Sequence, residues 1–205
     1  MARADALLGD PATARHIWGL GLHWYDGWDY SVSSRVHEKY PDTRILFTES
    51  AKVGNDTIGS WGNAEGYAIS MFGDFKNWVC GHIDWNIALD QRGGPNHLGH
   101  SCDAAVIVNT DTKEIRYTPI FYYIAQFSRF VKPGARRIET TGGPKTVQSI
   151  AFANPDGTLA LVVFNKTDVA EKFALKPAPG APPFPAAIPA HAIQTYTCAR
   201  AMGAE

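Results

Sequence analysis

Two hydrophobic patterns divide the chain. Up to about residue 134, short apolar runs alternate with stretches whose apolar residues recur every three or four positions, whereas 135–205 holds only strand-like runs separated by Gly and Pro. Asp10 before Pro11 predicts an N-cap and first helical position, opening a short helix that ends before Gly19. GLGLHWY (19–25) predicts a first strand, a looser helical segment runs from about Ser31 to Tyr40 and stops at Pro41, and RILFTE (44–49) predicts a second strand. Ala64, Tyr67, Ala68, Met71, Phe72, Phe75, Trp78 and Val79 fall at steps of three and four, which places them on one helix face. A third strand is expected over about His82 to Leu89, then a long loop rich in Gly, Asn and His, then a helix from Thr118 and Pro119 through 120–131. Alternation of strands and helices implies a parallel sheet.

The second part reads as antiparallel, sandwich-like strands at 136–141, 145–154, 158–166, 171–176 and 191–198. Pro155-Asp156-Gly157 predicts a hairpin turn, and the tract 178–190 is too rich in proline for a central strand, so an exposed connection is expected there. Pro133 and Gly134 mark the expected boundary between domains 1–134 and 135–205.

Composition narrows the function classes. With 45% hydrophobic and 12% aromatic residues and 19 Lys+Arg against 20 Asp+Glu, the chain is not disordered. A net charge of −1 without a basic run leaves no electrostatic footprint for nucleic acid, and no apolar stretch is long enough to span a bilayer. Cys80, Cys102 and Cys198 form no CxxC pair, so neither a disulfide framework nor a zinc ribbon is written here. The opening residues lack a basic segment followed by an apolar one, so no secretory signal is read there.

In a parallel α/β sheet, reactive groups gather at the C-terminal ends of the strands. The first strand ends in His23, Trp24 and Tyr25, the second in Glu49, and the third near Asp84, Trp85 and Asn86. Aromatic rings beside polar groups and a carboxylate suit a sugar, which presents apolar CH faces and a rim of hydroxyls. Plainer readings stand beside this one. Glu49 is also where a salt-bridge partner would sit, Asp84 could hold a neighbouring strand, and His23 and Tyr25, on one face by alternation, could satisfy buried backbone groups. A rival cluster, NHLGHSCD (96–103), offers His97, His100, Cys102 and Asp103 as metal ligands. It lacks the second ligand pair of a structural zinc site, which favours a polar loop lining a cleft and no metal.

FTES (47–50), taken with HWY (23–25) and HIDWNIALDQRGGPNH (82–97), resembles the glucosylceramidase branch of glycoside hydrolase family 30. The resemblance runs over nearly the whole chain. It implies retaining β-glycosidase chemistry without a cofactor, on a TIM barrel followed by a β-sandwich. By the same resemblance Glu49 matches the catalytic nucleophile at the end of the seventh barrel strand, His23 and Tyr25 the polar pair at the end of the sixth, and Trp85 the substrate-facing tryptophan after the eighth. Asn96 falls in the GGPN turn, and His100 stands where family members commonly carry Asn near the sugar. The implied partners are a β-linked glucoside, glycolipid or oligosaccharide, and the implied location is secreted or extracellular.

A TIM barrel has eight strand–helix units over typically ~250 residues, and only the last three strands are recognised here. The family's general acid/base lies in an Asn-Glu-Pro motif on the fourth strand, and that tripeptide is absent from these 205 residues. The expectation is therefore the C-terminal part of an enzyme: a split product that meets the missing N-terminal half, a chain whose start lies upstream, or a degenerate copy. A non-catalytic carbohydrate- or protein-binding remnant is the alternative.

Overall fold

The computed structural model describes residues 1–27, 29–54, 57–95, 97–178 and 180–199, in two compact units, Met1–Ile120 and Phe121–Glu205. In the first unit, α1 (Ala2–Leu8) and α2 (Pro11–Ala14) precede β1 (Gly19–His23). Asp10 caps α2 as its sequence requires, its carboxylate accepting from the backbone N–H of Ala12 and Thr13. A 3-10 turn, Trp24–Asp26, replaces the last residues of the expected first strand. Then come α3 (Ser31–Lys39), β2 (Arg44–Glu49), β3 (Lys52–Val53), α4 (Trp61–Lys76) and β4 (Val79–His82).

β1, β2 and β4 form a three-stranded parallel sheet with β2 at its centre. Ile45, Phe47 and Val79 alternate onto the face that packs with Ala4 and Leu8 of α1 and Val36 of α3, an apolar core that holds the helices on the sheet.

The third strand falls earlier than expected, at 79–82 rather than about 82–89. Asn77 ends α4: its backbone N–H donates to the Asp74 carbonyl and its side chain to the Gly73 carbonyl. Trp78 then takes a left-handed backbone (φ 70°), leaves the helix face and stacks on His37 at 3.7 Å, so Val79 begins a strand instead of ending a helix. Beyond it, β5 (Ala88–Asp90), β7 (Val106–Val108) and β8 (Ile115–Tyr117) make a small mixed sheet, and β6 (Cys102–Asp103) pairs with β3. Leu89, Cys102, Ala104 and Ile107 form its core.

In the second unit, the residues of α5 (Pro119–Ser128) from Phe121 onward lie on a four-stranded antiparallel sheet ordered β14 (Ala192–Ala199), β11 (Thr158–Asn165), β10 (Val147–Ala153), β9 (Arg136–Ile138). Tyr123 donates to the His191 carbonyl at 2.8 Å, and Thr195 to the Gln126 carbonyl at 2.7 Å. The hairpin at 155–157 forms as expected. Gly157 takes φ 81°, and Asp156 accepts from the backbone and hydroxyl of Thr158. The proline-rich tract does not remain a connection. Phe184–Ile188 is a strand, β13, which among the described residues pairs with β12 (Glu171–Leu175) alone, in a two-stranded sheet where Pro185 disrupts no central ladder, and its Ile188 is wholly buried.

Candidate active site

The site is built where β1 and β2 end. Leu22 pairs with Phe47 but His23 pairs with Glu49, so Thr48 is an extra residue in β2. Ile45 and Phe47 point into the helix-side core, and uninterrupted alternation would put Glu49 on that same face. The bulge breaks the alternation one residue before the carboxylate. The Thr48 hydroxyl, donating to the Leu22 carbonyl at 3.2 Å, ties it to β1.

Three consecutive residues then meet Glu49. Tyr25 donates its hydroxyl to Glu49 Oε1 at 2.5 Å, Trp24 donates its indole N–H to the same oxygen at 3.2 Å, and His23 Nδ1 lies 3.7 Å from it. An extended strand would send Trp24 to the face opposite His23 and Tyr25. The 3-10 turn brings all three to one carboxylate, with the rings of Trp24 and Tyr25 4.8 Å apart. The hydrogen bond to Glu49 raises the pKa of the Tyr25 phenol, so Tyr25 is a proton donor at neutral pH. The shared strand face expected for His23 and Tyr25 is thus corrected: Tyr25 arrives by the turn. Sequence reasoning saw Trp24 as an aromatic of the strand end and missed its bond to Glu49; the signal for the turn is Gly27, which ends it at φ 82°.

Trp85 joins the same strand end through its backbone. Its N–H donates to the carbonyl of Ser50, the residue after Glu49, at 3.1 Å, and the residue remains 41% exposed. Behind the cluster lies a cavity of about 140 Å³ whose lining includes His23, Trp24, Tyr30, Lys52 and Asp74. Burial raises the Asp74 pKa to about 6 and lowers that of Lys52.

The loop after β5 is closed at its base, where the Cys102 N–H donates to the Gly93 carbonyl at 3.0 Å. Gly93 is required there: its φ is 75°, and a Cβ would lie 2.4 Å from the backbone of Cys102. His97 and His100 are exposed in this loop, and Asn96 lies outside the described residues. Cys102 is buried in the small-sheet core. Asp103 accepts from the Gly59 N–H, the Asn63 side chain and the Ala104 N–H, so its oxygens hold the entry to α4. Among the described residues no three His, Cys, Asp or Glu side chains are grouped to hold a metal ion.

Comparison with known proteins agrees with this architecture. A Caenorhabditis elegans protein whose name places it among the glucosylceramidases is 39% identical over 173 residues, covering 80% of this chain and 33% of its own length. The crystal structure of SrfJ from Salmonella typhimurium superposes with a TM-score of 0.88 at 30% identity, over 97% of this chain and 44% of that one. An endo-beta-1,6-glucanase superposes with a TM-score of 0.81 at 32% identity, over 95% and 44%. The chain therefore spans about a third of the curated relative and under half of either solved structure. The Glycosyl hydrolase family 30 TIM-barrel domain matches residues 2–131 and the family's beta sandwich domain residues 134–196. With parallel strands and helices followed by an antiparallel sandwich, the chain belongs to glycoside hydrolase family 30, on the side of the glucosylceramidases.

Proposed function

We propose that this chain carries the nucleophile half of a retaining β-glycosidase site, with a β-glucoside as substrate. The observation that carries the reading is the convergence of Tyr25, Trp24 and His23 on one oxygen of Glu49 at the end of a parallel sheet. Among the described residues the other oxygen, Oε2, accepts no hydrogen bond, so the carboxylate is anchored at one atom and open at the other. Oε2 attacks the anomeric carbon, a glycosyl–enzyme ester forms, and the aglycone oxygen leaves. A second carboxylic acid protonates that oxygen and later takes a proton from water, from about 5 Å away in retaining enzymes. With no Asn-Glu-Pro in these residues, that acid comes from barrel strands outside them, supplied by the N-terminal part of a family barrel. Trp85 stacks on the sugar, His100 serves its hydroxyls, Asn96 is a further sugar contact by the family resemblance alone, and the sandwich domain begins after Pro133–Gly134. The aglycone in this reading is a lipid or an oligosaccharide, and the family resemblance makes the enzyme secreted or extracellular. A β-1,6-linked glucan is the second reading, favoured by the 32% identity to the endo-beta-1,6-glucanase.

The test combines the chain with the first five strand–helix units of a family barrel and assays aryl β-glucosides. Turnover that needs both pieces and disappears with Glu49→Gln supports the reading. Turnover that survives Glu49→Gln overturns it.

A further inference from the structure

Tyr67 lies on the buried face of α4 and is 1% exposed, a position that a phenylalanine would fill equally well as packing. Its hydroxyl is therefore the part to explain. It donates to Asp84 Oδ1 at 2.6 Å and lies 3.4 Å from the Ser50 carbonyl. Asp84 Oδ1 also accepts from the Trp85 N–H at 2.9 Å, and that same N–H donates to Ser50 at 3.1 Å. Four atoms thus close a ring joining the residue after Glu49, the residue before Trp85, Trp85 itself and a rigid helix. Trp85 is 41% exposed, so hydrogen bonds to its backbone contribute to setting its position. Ile83, donating to the Phe47 carbonyl at 2.8 Å, anchors the segment one step earlier but leaves Trp85 a free pivot without the ring.

We infer that Tyr67 and Asp84 are positioning residues, which lock the backbone carrying Trp85 against the backbone that follows Glu49. Their role rests on the proposed function only for what Glu49 and Trp85 do to a sugar; the lock itself is a geometric claim. The ring is buried at Tyr67 and reaches the surface at Trp85, and its bonds support one another because they share Asp84 Oδ1 and the Trp85 N–H. Removing one donor releases the strand end without disturbing the apolar face of α4.

Amide hydrogen exchange followed by mass spectrometry on the full chain tests the lock without turnover. Tyr67→Phe and Asp84→Ala are expected to lose protection in peptides covering 50–53 and 83–87, while the sandwich strands 147–165 keep theirs. Asp84→Asn, whose amide oxygen still accepts both bonds, is expected to restore protection. Unchanged exchange at 83–87 in both Tyr67→Phe and Asp84→Ala overturns the inference. So does a loss spread evenly through residues 1–120, or a loss in Asp84→Asn equal to that in Asp84→Ala. An active Glu49→Gln variant would overturn the proposed function and leave this result standing.

Discussion

Glu49 receives Tyr25 and Trp24 on the same oxygen, and that asymmetry matters more than the number of bonds. A carboxylate fixed at one oxygen keeps the other aimed, which is what a nucleophile needs to approach a single carbon in line. Tyr25→Phe is expected to lower the rate of Glu49 glycosylation in the reassembled enzyme while the fold keeps its stability, since the Tyr25 ring is largely exposed. An unchanged rate would show that the phenol does not aim Glu49. Two buried groups farther back give the protein an unusual acid response. His82, stacked on Phe47 at 4.5 Å, has its pKa lowered from 6.5 to about 4 by burial, so the stability of its neutral form is complete above pH 6.5 and lost as pH falls toward 4. Asp74 acts in the opposite sense. Burial raises it from 3.8 to about 6, so its charged form penalises the fold above pH 6, and acidification between 6 and 3.8 relieves that penalty. Asp74→Asn is therefore expected to stabilise the chain at pH 7 by up to about 3 kcal/mol and to lose that advantage by pH 4. Urea denaturation at both pH values measures it; an equal difference at the two would contradict the assignment.

Among the elements, α4 does most to place the site, because its ends and its glycines determine where the strand ends lie. Ser60 caps it, the hydroxyl accepting from the Asn63 N–H, and Asp103 holds Gly59 and Asn63 from a distant strand. Asp103→Ala leaves those donors unsatisfied and is expected to destabilise the first unit by about 2 kcal/mol, read as a shift in its urea midpoint. Gly73 lets Tyr30 lie flat on the helix, where a Cβ would be 2.4 Å from the ring. Gly73→Ala is expected to cost about 1–3 kcal/mol by overpacking, and no change in the midpoint would mean that the ring moves aside freely. The spacing of Ala64, Tyr67, Ala68, Met71 and Phe72 made α4 legible, and alternation did the same for β2 and the sandwich strands. Two- and three-residue strands such as β3, β6 and β7 are too short to carry a period, so they stayed hidden in loops. The bulge at Thr48 was silent because it depends on a partner strand, and the turn at 24–26 had only Gly27 as its signal; together they decide how Glu49 meets its neighbours. Glu49, His23 and Tyr25 were legible as strand-end residues; that Trp24 would bond to Glu49, and that Tyr67 would reach both Asp84 and Ser50, was not.

At the scale of the molecule, three parallel strands do not make a barrel. Among the described residues β1 and β4 each pair on one side only, and parallel sheets are stable when both faces and edges are covered. The 205-residue chain by itself is expected to self-associate, visible by sedimentation velocity as concentration-dependent species, and a monodisperse monomer with a sharp melt would contradict this. It is also expected not to turn over unactivated β-glucosides, because general acid catalysis contributes ~10²–10⁴-fold and the Asn-Glu-Pro motif that would supply the acid is not among these residues. The central claim is that Glu49 is the nucleophile of a site completed by other barrel strands. Its most direct measurement is mass spectrometry after exposing the reassembled enzyme to a 2-deoxy-2-fluoro β-glucoside with a dinitrophenolate leaving group, which needs no acid and traps the glycosyl ester. One fluoroglucosyl group is expected on the peptide containing Glu49, and none with Glu49→Gln. A trapped sugar on any other carboxylate, or equal labelling of the Glu49→Gln variant, would contradict it.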